Sequence, residues 1–108
     1  MGQIKHIETK ADFDSVLSST TNVLVDFYAH WCMPCKQLSP LLDILSDEMD
    51  NVQIVKVNVD NAAELSTIYG IRSIPTIFFF KDGEKVDSMN GFVPKTQLVG
   101  RMKTNFGI

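Results

Sequence analysis

The sequence predicts an α/β fold with a central mixed β-sheet flanked by helices on both faces, its elements following the order βαβαβαββα. Strand-like and helix-like segments alternate along most of the chain, and this alternation is typical of parallel strands joined by helices. An Asp-Gly pair at residues 82–83 marks a tight hairpin, which adds an antiparallel strand. With 108 residues the chain has room for one core, so residues 1–108 are interpreted as a single domain.

The first part of the chain predicts two strands separated by a helix. A short strand is expected over Gln3 to Ile7, and Thr9 with Asp12 can cap the helix that follows. Asn22 to Tyr28 is nearly all apolar, as expected of a strand that is covered on both faces. The side chains that the first helix should turn inward are Phe13, Val16 and Leu17.

A longer helix should start at Cys32 to Cys35, shortly after the second strand. Pro40 lies inside this helix and should kink it, because proline lacks the backbone N–H of the helical hydrogen bond. The inward-facing stripe at helical spacing consists of Leu38, Leu41, Leu42, Leu45 and Met49.

The next segments predict a strand followed by a short helix. Val52 to Val59 is the strand candidate, and Asp60 or Asn61 can cap a helix over Ala62 to Tyr69. Gly70 should end that helix, because glycine readily takes the left-handed conformation found after helix ends.

The C-terminal part predicts a hairpin and a last helix. Thr76 to Phe80 and Lys85 to Met89 are the strands on either side of Asp82-Gly83, and Pro94 opens the helix. The apolar face of that helix consists of Leu98, Val99, Met102 and Phe106.

Charge and hydropathy argue against several classes of partner. Ten Lys and Arg against thirteen Asp and Glu give a net charge of -3 without a basic cluster, so nucleic acid is not an expected partner. The apolar runs are too short to span a bilayer, and the N-terminal residues contain no apolar signal segment. We therefore expect a cytoplasmic protein that does not contact a membrane, and we expect it to be a monomer.

The pair Cys32 and Cys35 carries the clearest chemical signal. A disulfide between them closes a very small loop and constrains the unfolded chain little, so the pair is better explained by chemistry than by stability. At a helix N-terminus the unpaired N–H groups favour an anion, which gives Cys32 thiolate character. We expect Cys32 to be exposed and to attack a disulfide, and Cys35 to turn inward and resolve the mixed disulfide. The alternative is a zinc site, but only His30 joins the two cysteines and zinc takes four ligands, so no metal is expected.

Two motifs and several shorter segments match a known family. Trp-Cys-x-Pro-Cys at residues 31–35 and Ile-Pro-Thr at residues 74–76 are specific at this separation. On these motifs the chain resembles the thioredoxin family over essentially its whole length. The resemblance implies the thioredoxin fold and the activity of a protein-disulfide reductase. The segments that carry it are Asp26 to Lys36, Pro40, Lys56 to Asp60, Tyr69 to Thr76, Phe80 to Gly83, and Gly91.

The resemblance also implies a role for each residue of the reactive centre. Cys32 would be the nucleophile and Cys35 the resolving thiol. Asp26 would be a buried carboxylate that helps to move the proton of Cys35, with Lys56 nearby. Pro75 would follow a cis peptide bond, which places the preceding backbone beside the cysteine pair.

A source of electrons and a docking surface are implied in the same way. Electrons would come from NADPH by way of a flavoprotein thioredoxin reductase, with no cofactor bound to the chain itself. The partners would be that reductase and proteins that contain disulfides. The docking residues would be Trp31, Met33, Pro34, Val59, Ser73, Ile74, Gly91 and Phe92.

Asp26 also stands out without the resemblance. Its neighbours Val25 and Phe27 are apolar, and a strand covered on both faces would bury the carboxyl group between them. Burial should raise the pKa of that carboxyl. Lys56, in contrast, is equally consistent with a solvated strand residue whose stem lies along the sheet.

Four positions depart from the common family pattern and leave the redox potential and partner choice open. Met33 and Ser73 stand where glycine is usual, Tyr28 where tryptophan is common, and Phe92 where a small residue is usual. Three other functions stay open beside the reductase: a dithiol oxidant or isomerase, a glutathione-dependent enzyme, and a binding module with incidental thiols. Because no charged group lies between the cysteines, strong oxidising power is the less expected of these.

Overall fold

In the computed structural model, which describes residues 3–108, five strands form one mixed sheet in the spatial order β1-β3-β2-β4-β5. The strands are β1 (Lys5–His6), β2 (Asn22–Tyr28), β3 (Gln53–Asn58), β4 (Thr76–Lys81) and β5 (Glu84–Asn90). The helices are α1 (Lys10–Ser19), α2 (Met33–Glu48), α3 (Ala63–Ile68) and α4 (Lys95–Phe106). The predicted order of strands and helices is therefore confirmed.

The sheet is mixed because the hairpin reverses its last two strands. Strand β3 runs parallel to both β1 and β2, whereas β4 runs antiparallel to both β2 and β5. Asp82 and Gly83, with φ of 51° and 83°, form the turn between β4 and β5, as the Asp-Gly signal predicted. The strands that this turn joins extend one residue further than expected, to Lys81 on one side and from Glu84 to Asn90 on the other.

Helices cover both faces of the sheet, and the alternation of side chains along β2 assigns each residue to one face. Leu24 packs in a cluster with Leu38 of α2 and Leu98 of α4, whereas Val25 packs with Phe13 of α1 and with Leu65 of α3. Since successive strand residues point to opposite faces, residue 26 shares the α2 and α4 face with residue 24. The only acidic residue of β2 is therefore directed into the core beneath α2.

Other predicted bounds also differ from the structure: β3 spans Gln53–Asn58 rather than 52–59, and α3 spans Ala63–Ile68 rather than 62–69. The first strand covers only Lys5–His6, although Thr9 caps α1 as predicted, its Oγ1 accepting from the Asp12 amide at 3.2 Å. The prediction that Asp60 or Asn61 caps α3 is wrong, because Ala62 is the N-cap residue and makes no side-chain cap bond. The Asp60 carboxylate instead accepts a hydrogen bond from the Trp31 indole Nε1 at 2.9 Å.

The helix α2 begins where the parallel strand β2 ends, which places its N-terminus at the carboxyl edge of the sheet. Pro40 lies inside this helix, as predicted. Within residues 3–108 no helix is both long and apolar enough to cross a membrane.

Candidate active site

The cysteine pair sits at the N-terminus of α2. Cys32 is the N-cap residue, Cys35 lies in the first turn, and the two sulfurs form a disulfide with the Cα atoms 5.2 Å apart. The Cys35 amide points at Cys32 Sγ, with 3.2 Å between nitrogen and sulfur. That amide is one of the donors without an intrahelical partner in the first turn, so the helix N-terminus directs one of its unpaired N–H groups at this sulfur.

The expected difference in exposure between the two cysteines is wrong. Cys32 is 5% exposed and Cys35 is 3% exposed, and both pack against Ala29 and partly buried Ile74. Their surroundings differ instead. Cys32 Sγ lies 3.8 Å from the Ile74 carbonyl oxygen, whereas Cys35 lines a cavity of about 190 Å³ together with Lys56.

The loop that approaches Cys32 contains the cis peptide bond Ile74–Pro75, as the resemblance implied. Gly91, with φ of 79°, donates its amide to the Pro75 carbonyl at 2.8 Å, which ties this loop to the end of β5. Asn90 adds a second tie, because its Nδ2 donates to Ser73 Oγ at 3.0 Å and to the Thr76 hydroxyl at 2.8 Å.

The residues predicted for docking surround the disulfide with varied exposure. Trp31 is 70% exposed and is held by its hydrogen bond to Asp60, while Met33 and Phe92 are also exposed hydrophobic side chains. Single exposed apolar side chains also occur elsewhere on this protein, but exposed apolar side chains that together form a patch are typical of a surface that contacts other proteins. Of the remaining predicted residues, Pro34 and Ser73 are exposed, and three are half-buried: Val59, Ile74 and Gly91.

Asp26 is fully buried, as its apolar neighbours predicted. Within residues 3–108 no group donates a hydrogen bond to either of its carboxylate oxygens. Burial raises the pKa of this carboxyl to about 7, and the opposing effect of the Lys56 ammonium is smaller. The group therefore changes its charge near neutral pH, where most carboxyls are already ionised.

Lys56 is 8% exposed, so the interpretation of this residue as a solvated strand residue is wrong. Its Nζ donates to the Ser39 hydroxyl at 2.6 Å and lies 5.1 Å from the centre of the Tyr28 ring. The two contacts satisfy a cation that is otherwise costly to bury. The ammonium is thereby held at the wall of the cavity that Cys35 also lines.

Comparison with known proteins decides the family. The thioredoxin family model matches residues 4–104. The chain belongs to the thioredoxin family. A thioredoxin of Mycoplasmoides gallisepticum is 47% identical over 100 residues, which cover 93% of this chain and 100% of that protein. A chloroplastic M-type thioredoxin of Pisum sativum is 49% identical over 84 residues, or 77% of this chain and 49% of that protein.

Solved structures of thioredoxins have the same fold. A mutant thioredoxin of Halobacterium salinarum superposes with a TM-score of 0.92 at 30% identity, covering 98% of this chain and 93% of that one. Thioredoxins are disulfide oxidoreductases that act on disulfide-containing proteins, exchange with reductase partners and bind no cofactor of their own. The Cys32–Cys35 disulfide is the redox-active centre of this member of the family.

Sequence reasoning missed three residues of the site. Ser39 follows Cys35 by four positions, and this spacing alone places both on one helix face. Asp60 was interpreted as a helix cap, and its bond to Trp31 spans 29 positions, which no local pattern reveals. Asn90 lies on the edge strand, where an exposed amide carries no signal of its loop contacts.

Metal ligands are not grouped in the described part of the chain. Among residues 3–108 no three His, Cys, Asp or Glu side chains lie close enough to hold a metal ion together.

Proposed function

We propose that the chain reduces disulfides in partner proteins by a two-step exchange at Cys32 and Cys35. The Cys32 thiolate attacks one sulfur of the substrate disulfide, forms a mixed disulfide, and releases the other sulfur as a thiolate. The Cys35 thiolate then attacks Cys32 Sγ and releases the second substrate sulfur. The substrate gains a pair of electrons and the protons that neutralise its thiolates, and the chain is left with the Cys32–Cys35 disulfide.

The contact between the Cys35 amide and Cys32 Sγ carries this assignment of roles. A donor aimed at a sulfur from a helix N-terminus stabilises negative charge there, and so favours the thiolate of Cys32 over its thiol. Only the thiolate is a nucleophile, so the first attack belongs to Cys32. Cys35, on the inner side, is left as the thiol that resolves the mixed disulfide.

Asp26 accepts the proton of Cys35 in the second step. A general base works best when its pKa lies near the working pH, and burial brings the pKa of the Asp26 carboxyl to about 7. Lys56, which is paired with Asp26 across the neighbouring parallel strand, supplies positive charge that favours the ionised carboxylate.

Substrate docks on the exposed groups around the disulfide. Trp31, Met33 and Phe92 supply apolar contact area, and the backbone of Ile74 beside Pro75 pairs with an extended substrate segment. The distance of 3.8 Å between Cys32 Sγ and the Ile74 carbonyl oxygen supports this, because a substrate segment held there has its sulfur beside the nucleophile. The other docking positions are Pro34, Val59, Ser73 and Gly91.

The electrons come from NADPH by way of a flavoprotein thioredoxin reductase, in keeping with the exchange between thioredoxins and reductase partners. We place the chain in the cytoplasm, where bacterial members of the family are typically found, although the pea relative is chloroplastic. Residues 1–108 act as one monomeric domain that contacts neither nucleic acid nor membrane.

Reduction of insulin disulfides tests the function, with the reductase and NADPH or with dithiothreitol as the electron source. We expect Cys32→Ser to abolish turnover and to form no mixed disulfide. Cys35→Ser should also stop turnover but should accumulate a mixed disulfide with insulin through Cys32, visible by mass spectrometry. Accumulation in Cys32→Ser instead would reverse the two roles, and turnover in both variants would refute the proposal.

A further inference from the structure

Ser39 lies where the reactive helix meets the buried charges of the sheet. It follows Cys35 by four positions on α2, so the two side chains share one face of the helix. Its hydroxyl oxygen accepts a hydrogen bond of 2.6 Å from the Lys56 ammonium, and both residues line the cavity behind Cys35.

Asp26 and Lys56 are neighbours that do not form an ion pair. They are directly paired in the register of the parallel strands β2 and β3, so their side chains project from the same face of the sheet. The ammonium nevertheless donates to Ser39, and within residues 3–108 neither oxygen of Asp26 accepts a hydrogen bond. A buried carboxylate beside a buried ammonium gains much from pairing, so its failure to pair requires a competing partner for the ammonium.

We propose that Ser39 is a positioning residue for the second step of exchange: it holds the Lys56 ammonium away from Asp26, so that the carboxylate stays free to accept the proton of Cys35. The role of Ser39 rests on the proposed role of Asp26. The Tyr28 ring, 5.1 Å from Nζ, also stabilises the ammonium.

Among the charged groups near Asp26, Lys56 is the cation whose position affects the Asp26 carboxyl. The titratable residues that line the cavity are His6, Tyr28, His30, Cys35, Lys36 and Lys56. Ala29 and Ser39 complete the lining. On the other side of β2 the residue paired with Asp26 is the apolar Ile77 of β4. Of the charged groups, the Lys56 ammonium is the one that lowers the pKa of the Asp26 carboxyl against the larger effect of burial.

Removal of the Ser39 hydroxyl leaves the ammonium without its acceptor. The register partner of Lys56 on β2 is Asp26, whose carboxylate oxygens accept no hydrogen bond within residues 3–108, so Lys56 should turn towards it and form the ion pair. An opposite charge in direct contact lowers the pKa of an aspartate by about one to three units. A stronger acid is a poorer proton acceptor, so resolution by Cys35 should become slower at pH 7.

The test is titration of the Asp26 carboxyl carbon by NMR in the oxidised protein, where neither cysteine titrates. In Ser39→Ala we expect the pKa of Asp26 to fall by at least about one unit. Ser39→Thr retains the hydroxyl and should keep the pKa of the parent. Ser46→Ala is the matched control, because Ser46 is a buried serine of the same helix that donates to the Asp43 carbonyl and does not contact Lys56.

A second variant tests the competition directly. In a Lys56→Met background there is no ammonium to release, so Ser39→Ala should leave the pKa of Asp26 unchanged. An unchanged or raised pKa of Asp26 in Ser39→Ala alone would overturn the proposal, as would an equal fall in both backgrounds. The pH at which resolution of a mixed disulfide reaches half its maximal rate should shift with the pKa of Asp26.

The titration is independent of turnover, so failure of the two proposals can be told apart. If Asp26→Asn leaves the resolution rate intact while Ser39→Ala still lowers the pKa, Ser39 controls Lys56 but Asp26 is not the proton acceptor. If Asp26→Asn slows resolution while Ser39→Ala moves nothing, the proposed function stands and the role of Ser39 is refuted.

Discussion

Two aspartates on two strands of the same sheet have pKa values that are shifted in opposite directions. Asp26, on the central strand β2, is fully buried, and no group of the described residues 3–108 donates a hydrogen bond to it; burial raises the pKa of its carboxyl to about 7. Asp87, on the edge strand β5, accepts hydrogen bonds from Arg101 at 2.7 and 2.9 Å and from Asn105 at 2.7 Å. These donors, Arg101 foremost, lower the pKa of Asp87 to about 2.

The difference between the two positions separates a reactive carboxylate from a structural one. Satisfied by donors from α4, the charge of Asp87 stabilises the contact between helix and edge strand and does not change between pH 4 and 9. Within residues 3–108 Asp26 has no such donors, so its charge is costly and its proton is exchanged near neutral pH. The same side chain therefore serves the fold at Asp87 and, in the proposed mechanism, the reaction at Asp26.

The largest expected effect is on the rate of mixed-disulfide resolution. Asp26→Asn removes the proposed proton acceptor of Cys35 and should slow resolution at pH 7 by roughly 100-fold, within the usual range for general base catalysis. Asp87→Asn removes a carboxylate that has no role in the proposed mechanism and should leave the rate unchanged. Single-turnover kinetics with a preformed mixed disulfide measure this step directly.

Equal rates in the parent and Asp26→Asn would show that Asp26 does not accept the proton of Cys35. A decrease in both aspartate variants would show that the rate reports on stability or net charge rather than on proton transfer. Measurement of the unfolding free energy of each variant distinguishes these cases.

The second expected effect is on stability and its dependence on pH. The pKa of Asp26 is about 7 in the folded state against about 3.8 in an unfolded chain. Between these values the native state holds more protons, so the stability of the parent falls as pH rises through the window. At about 1.4 kcal/mol per pKa unit, the cost above pH 7 is on the order of 4 kcal/mol.

Asp26→Asn keeps the shape of the side chain without its charge. It should therefore be more stable than the parent at pH 8 by an amount approaching that cost, and nearly equal to it at pH 3, where Asp26 is mostly protonated in both the native and the unfolded state. Urea unfolding at both pH values measures the difference. A constant difference at the two pH values would mean that Asp26 does not titrate in this window.

How much of this contrast the sequence predicts depends on the range of each contact. Strand β2 has the predicted limits, and the burial of Asp26 follows from its apolar neighbours, because a strand covered on both faces is recognisable from its own residues. The hydrogen bonds to Asp87 come from α4, 14 and 18 positions away, and no local pattern indicates them. Burial was therefore predictable where its cause is local.

In the candidate site too, features that belong to a short segment were predicted, and features that depend on contacts between distant residues were not. The motif around Cys32 and Cys35 predicted that the pair lies at a helix N-terminus, and the resemblance to the thioredoxin family implied the cis bond before Pro75. The exposure of Cys32 was predicted wrongly, because it depends on the approach of Ile74, which is 42 positions away. The Lys56–Ser39 bond joins a strand to a helix and required the packed structure.

The smallest expected effect concerns the stabilising role of Asp87. Because its pKa is lowered to about 2 in the folded state, the unfolded chain holds more protons between pH 2 and about 4. The contribution of Asp87 is therefore present above pH 4 and is lost as pH falls towards 2. Asp87→Asn should be less stable than the parent at pH 7, and the difference should vanish near pH 2. The effect should be smaller than that of Asp26→Asn, because the pair between Asp87 and Arg101 is partly solvated.

The matched control for this effect is Glu48→Gln, which breaks the more exposed pair between Lys95 and Glu48. With both partners half exposed, that pair should contribute less than the Asp87–Arg101 pair at every pH. Urea unfolding at pH 7 and at pH 3 compares the two variants. If Glu48→Gln costs as much as Asp87→Asn, the bidentate geometry at Asp87 adds nothing to an ordinary surface pair, and the contrast with Asp26 lies in burial alone.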